Sequence, residues 1–261
     1  MILDFLFKKK KEKEARYDRL VKEINANMVS IPAGHYLMGS NEGEDDERPI
    51  HTVLLESFYL DKYVVTQSQW IEVMKTRPWQ RNKYVKEGDN YPVVNVNYYD
   101  VKEFITKLNK FSPDEFRLPT EAEWEYACRA GSTSTYAHGS FKASLIHYAW
   151  YYDNAFNKNE MYPHEVGLLK PNKWDLYDMM GNIYEWCSDW YSRNYYNKSQ
   201  VQQPPGPPYG SYKVVRGGDW ARTEYFLRVA SRRYYSPHYR DINAGFRLAK
   251  NNETDKTRGA E

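Results

Sequence analysis

Cysteine is scarce in this chain. Its 261 residues include two, Cys128 and Cys187. Two thiols in unrelated segments build neither a disulfide framework nor a metal-type ligand spacing. A single bridge between them stays open, but reduced thiols and a cytoplasmic setting are the expectation. A dominant charge is missing as well: 37 basic and 35 acidic residues leave a formal net charge of +2. No global field then argues for nucleic acid as a partner. Long apolar runs are also lacking. Met1–Phe7 is apolar but carries Asp4, and it is far too short to span a bilayer. The lysines follow this run, the reverse of a secretory signal. The histidines are scattered, with no pair four residues apart on an expected helix. No internal repeat is visible.

Tyrosine is abundant. Aromatic residues make up 16% of the chain, and tyrosine alone supplies 25 positions. Tyrosine gives a binding surface area with little entropy loss. It also fills the core of an irregular, loop-rich domain. Composition alone leaves both readings open.

The chain punctuates itself clearly in its first half. From Lys8 to Asn25 the pattern fits a helix, with Tyr17, Leu20, Val21 and Ile24 at helical spacing. A solvated lead-in helix over 1–27 is the expectation. A weak membrane-surface or partner contact is the alternative, because a basic run lies beside apolar residues. "MVSIPAGHYLMGS" reads as two short strands around a Pro32–Gly34 turn. Three capping boxes then announce helices: Thr66 with Gln69, Asp100 with Glu103, and Thr120 with Glu123. Gly131 is placed to end the third. Beyond it no helix is expected. "QQPPGPPYG" is an exposed loop, since proline fits neither helix nor central strand. "SYKVVRGG" and "NAGFRLAK" read as strands of one sheet. One domain over 28–250 and a polar, disordered tail over 251–261 complete the expectation.

The stretch from Gly217 to Lys250 has little regular hydrophobic period. Leu227, Val229 and the "GFRLA" strand supply packing. Between them lie Asp219, Trp220, Arg222, Thr223, Tyr225, Phe226, Ser231, Arg233, Tyr234, Tyr235, Ser236, His238, Tyr239, Asp241 and Asn243. Tyr, Arg and Ser mixtures suit a contact face rather than an interior. A protein or small-molecule ligand is the expected occupant.

Six segments also resemble one family, in its order: "MVSIPAGHYLMGS", "FYLDKYVVTQSQW", "YPVVNVNYYDVKEF", "RLPTEAEWEYACRAG", "KWDLYDMMGNIYEWCSDWY" and "VVRGGDW…GFRLA". The chain is similar to the sulfatase-modifying-factor, or formylglycine-generating-enzyme-like, family. The resemblance implies an α+β, loop-rich variant of the C-type lectin fold with a few helices and a small twisted antiparallel sheet. Enzyme members hold copper on two cysteines, and the matching positions here are Arg222 and Leu227. Neither offers a thiolate, so copper is not expected. An iron-dependent branch of the family uses an N-terminal helical domain with histidines; residues 1–27 contain none, so iron is not expected either. The family's calcium positions correspond to Asp178, Gly181, Ile183 and Glu185. All-oxygen ligation there would suit calcium. Alternatively, Asp178 and Glu185 satisfy buried turn amides. A second calcium site of the family is not expected, because Trp150 replaces an asparagine ligand. The Gly217–Lys250 stretch further resembles the mutable segment of variable proteins from diversity-generating retroelements. A non-catalytic binding module is therefore the expectation; a metal-dependent oxidoreductase is the alternative.

Overall fold

The computed structural model describes the backbone of residues 2–252, and the side chains of residue 7 and of residues 9–252. The expected disordered tail lies, from residue 253 onward, outside the described residues; Asn251 before it is the last residue of a strand.

Four α-helices form among the described residues. α1 (Ile2–Asn27) is longer than its periodic core. Its buried stripe is Tyr17, Leu20, Val21 and Ile24, and Tyr17 stacks on Phe111 at 3.9 Å. α2 (Gln67–Met74) and α4 (Glu121–Arg129) start at the expected capping boxes of Thr66 and Thr120. α3 (Tyr98–Asn109) starts one turn earlier than the sequence suggested. Asn97 is its N-cap: the Asn97 side chain accepts from the Asp100 amide and the Asp100 carboxylate accepts from the Asn97 amide, both at 2.9 Å. Asp100 thus closes the box rather than opening it. α4 ends with Ala130 in the left-handed region at φ 44°, one residue before the expected glycine stop.

Among the described residues ten short strands make three sheets. β1 (Met28–Ile31), β4 (Phe58–Asp61), β10 (Ala249–Asn251) and β5 (Phe116–Arg117) pair in that order. β2 (Gly34–Met38) and β3 (His51–Leu55) form a hairpin of their own. The third sheet runs β8 (Arg233–Tyr235), β7 (Lys213–Arg216), β6 (Tyr184–Trp190) and β9 (Ala244–Gly245). The expected single strand "NAGFRLAK" is thus two. β9 pairs in parallel with β6, and β10 pairs with β4 in another sheet. The crossing residues Phe246, Arg247 and Leu248 are fully buried. They join the two sheets through Val65 N–H to Phe246 C=O and Asp61 N–H to Leu248 C=O, both 2.8 Å.

Two apolar clusters fill the interior. One surrounds Trp70, Phe104, Trp186 and Phe246. The other surrounds Trp124, Tyr126, Met179 and Leu227. Buried ion pairs stitch distant segments around them. Glu125 binds Arg129 at 2.6 Å and also Arg216. Further hydrogen bonds help offset the desolvation cost of such pairs; Glu125 also accepts from the Gly39 amide at 3.0 Å, while Arg216 Nε has no hydrogen-bond partner among the described residues. No helix among the described residues is long and apolar enough to cross a membrane.

Candidate functional site

The C-terminal segment is held from below by blocks of buried residues that lie between exposed ones. Gly218, at φ 78°, starts it; a Cβ there would lie 2.8 Å from Leu227 Cδ1 and 3.0 Å from the Phe226 carbonyl. Only glycine fits that approach. Arg228 then makes a two-pronged bond to Glu47, 2.7 Å on each prong. Arg232 does the same to Glu121 at 2.7 and 2.8 Å. Arg216 reaches up to the carbonyls of Ala230 and Val229 at 2.8 and 3.1 Å. Bidentate guanidinium–carboxylate bonds fix direction as well as distance. These anchors fix the course of the segment across the surface.

The structure divides the predicted face in three. Thr223, Tyr225, Arg233, Tyr234, His238 and Tyr239 are exposed. Arg222, Phe226, Ser231, Ser236, Asp241 and Asn243 are half-buried. Asp219, Trp220 and Tyr235 are buried, and these three are corrections to the expected surface. Asp219 lies inside because its carboxylate accepts the Ala221 amide at 2.7 Å and closes the turn. Trp220 lies inside because its ring stacks on Phe156 at 6.0 Å. Tyr235 lies inside because successive residues of β8 point to opposite faces. Tyr234 turns outward, and Tyr235 packs edge-on against Tyr184 and Trp186 at 6.0 and 5.9 Å.

Around these residues the fold gathers aromatics that spacing alone does not connect. Tyr191 stacks under Tyr234 at 4.1 Å, and Tyr212 meets it at 5.1 Å. Tyr99 packs on His238 at 4.7 Å, and Tyr239 on Tyr235 at 5.2 Å. On the other side, Tyr152 and Phe156 stack near Trp220, and the Tyr152 amide bonds the Arg222 carbonyl at 2.9 Å. The only sequence signal for these additions is the high tyrosine count.

The floor of the face is polar and strained electrostatically. Burial pushes the Asp219 carboxyl up to about 6. Burial, and then Asp241, raise the Tyr235 hydroxyl. The Trp220 indole N–H and the Asn243 side-chain oxygen are buried without a hydrogen-bond partner among the described residues. One is a donor and the other an acceptor.

The two positions matching the family's copper cysteines do not fit copper. Leu227 is buried in apolar contacts, and Arg222 sits 3.5 Å from Asp219. Cys128 and Cys187 are fully buried elsewhere. Burial pushes the Cys128 thiol up to about 12 and raises that of Cys187. Neither supplies a ready thiolate.

The expected calcium positions are occupied by other business. Both oxygens of Glu185 accept from Arg247, at 2.6 and 2.7 Å, and one also accepts from the Trp124 indole at 2.9 Å. Asp178 accepts the Gly167 amide at 2.8 Å, and burial raises it to about 6. Gly181 lies where a Cβ would strike the Trp150 carbonyl at 2.1 Å, and its amide bonds the Gly217 carbonyl at 2.8 Å. Ile183 is a buried core residue. A guanidinium thus takes the place of a metal cation, so the set does not fit calcium. Instead the turn carries the candidate face, since the Trp220 amide bonds the Asn182 carbonyl at 3.1 Å.

Comparison with known proteins agrees with this architecture. Serine/threonine-protein kinase pkn1 of Chlamydia pneumoniae is 34% identical over 253 residues, covering 87% of this chain and 38% of that protein. The chain therefore spans well under half the length of that relative. A formylglycine-generating enzyme of Streptomyces coelicolor is 29% identical, with 89% of this chain and 91% of the enzyme covered. Among solved structures, Treponema denticola variable protein 1 superposes with a TM-score of 0.78 at 32% identity, over 86% of this chain and 95% of that one. Residues 14–252 match the sulfatase-modifying factor enzyme 1-like domain. That match covers most of the chain, and the chain belongs to this family.

Proposed function

We propose that this protein is a non-catalytic binding module whose contact face is the C-terminal segment. One observation carries the reading. Buried anchors at Leu227, Arg228, Val229 and Arg232 lie between exposed Tyr225 on one side and exposed Arg233, Tyr234, His238 and Tyr239 on the other. Aromatic and arginine side chains on a rigid frame are the usual energetic centres of interfaces. The ligand is a protein or a small molecule, and Trp220 Nε1 and Asn243 Oδ1 offer it a donor and an acceptor beneath the rings. The likeness to a Treponema denticola variable protein supports a receptor whose exposed positions are diversified.

Two experiments test this. A column of the wild-type chain is compared with one carrying Tyr225→Ala, Tyr234→Ala, His238→Ala and Tyr239→Ala. A ligand retained by the first and lost by the folded variant is the expected result. Metal analysis of the purified protein is the second. Stoichiometric copper or iron would overturn the reading in favour of an oxidoreductase. Diversification itself is read from neighbouring DNA, as a reverse-transcriptase gene beside a near-copy of the segment coding for 217–250.

A further inference from the structure

The hydroxyl-rich run that follows α4 has no part in the contact face. Arg129 stands in the last turn of α4, and "STST" follows the Gly131 turn as residues 132–135. Thr133, Ser134, Thr135 and Ser140 line a cavity of about 340 Å³ together with Arg129 and Arg228. The exposed side chains of the face do not line it. The four hydroxyls have no hydrogen-bond partner among the described residues.

Arg129 is only 7% exposed, yet its guanidinium is half engaged. Nε and Nη2 donate to Glu125 at 2.9 and 2.6 Å, and Nη2 also donates to the Gly39 carbonyl at 3.1 Å. Nη1 has no protein partner among the described residues. A donor held inside without an acceptor is costly, so the cavity must supply one. The charge is incompletely matched as well. Glu125 also pairs with Arg216, Arg216 lies 3.7 Å from Glu121, and Glu121 pairs with Arg232. Three guanidiniums thus alternate with two carboxylates, and the row ends on Arg129 at the cavity. We infer that this cavity binds a phosphoryl group, as the free ion or carried on a small polar molecule. Nη1 brings two N–H groups, and each hydroxyl rotates to donate. Such a set can serve three free oxygens, whereas a carboxylate presents two. Arginine also matches phosphate geometry in its planar fork. The volume lies at the small end of ligand sites, which run from about 300 to 1,000 Å³, so a sugar phosphate fits as well as the bare ion. Glu42 stands at the rim, but it is exposed, where salt and water screen it.

The test is calorimetric titration of the full chain with inorganic phosphate and with glucose 6-phosphate, at an ionic strength fixed with sodium chloride. Saturable binding of at least one is expected. Preference for inorganic phosphate would assign the free ion, and preference for glucose 6-phosphate an ester. Thr133→Glu places a carboxylate at the cavity wall from an exposed position. It should leave the melting temperature unchanged and weaken binding at least about tenfold, because like charges at close range repel. Thr133→Ala with Ser134→Ala should weaken it about fivefold or more, the scale of two lost hydrogen bonds. Binding of neither compound, equal binding of acetate or of glucose, or unchanged binding by these folded variants overturns the inference.

Discussion

Tyr234 and Tyr235 are neighbours with opposite fates. Tyr234 is 40% exposed and Tyr235 is 8% exposed. Alanine at Tyr234 or Tyr239 is expected to cost within about 1 kcal/mol of stability, the range of surface changes. Alanine at Tyr235 should behave like Phe246→Ala, costing about 3–5 kcal/mol as large core truncations do. Denaturant midpoints check this, and a Tyr235 variant as stable as the Tyr234 variant would place both on the surface. Asp219 gives a pH signature. Its ordinary value of 3.8 is raised to about 6, so the folded state holds its proton where the unfolded state has lost it. Stability from this group is full below about pH 4 and is lost as pH rises through about 6. Asp219→Asn cannot ionise. The variant should gain on wild type by on the order of 2–3 kcal/mol between about pH 4 and 7. A constant difference in midpoint across that range would deny the burial of this charge. Residue type alone pointed to the tyrosines and arginines, but not to which of them turn inward. Strand alternation and the Asp219 turn decide that, and both depend on where β8 and the glycine pair begin.

Among elements, the capping boxes were the most legible features, because a cap is a local bond between residues three apart. Thr66 and Thr120 acted as read. At α3 the expected cap, Asp100, is not the N-cap; Asn97 is, and its own amide also bonds the Asp100 carboxylate. Nothing local marked the break between β9 and β10, since both halves of "NAGFRLAK" are buried and only their distant partners differ. The turn over 178–185 was legible as a motif but not in its partner. Arg247 lies 62 residues from Glu185 in sequence and binds it at 2.6 Å. Glu185→Gln should therefore cost about 3–5 kcal/mol, the cost of stranding a buried charge. Calcium and a chelator should give the same melting curve; a rise with calcium would show that the metal displaces the guanidinium.

At the scale of the molecule, one anchoring pair joins the first fifth of the chain to the last. Glu47 and Arg228 are 181 positions apart. Arg228→Ala should destabilise by about 3–5 kcal/mol, because it leaves Glu47 buried without a countercharge. Glu47→Ala combined with it should recover part of that loss, and a double-mutant cycle measures how much. Purely additive losses would mean that the pair does not act as a unit.

The passage of the chain from β9 into β10 also bears on how the protein is made. β4 lies between β1 and β10: Phe58 has Ile31 opposite it on one side and Asn251 on the other. On a ribosome adding about 5–20 residues each second, β4 waits on the order of ten seconds or more for that neighbour. During this time the growing polypeptide presents an open strand edge. The first sheet can therefore be completed only after its last strand, β10, has been made.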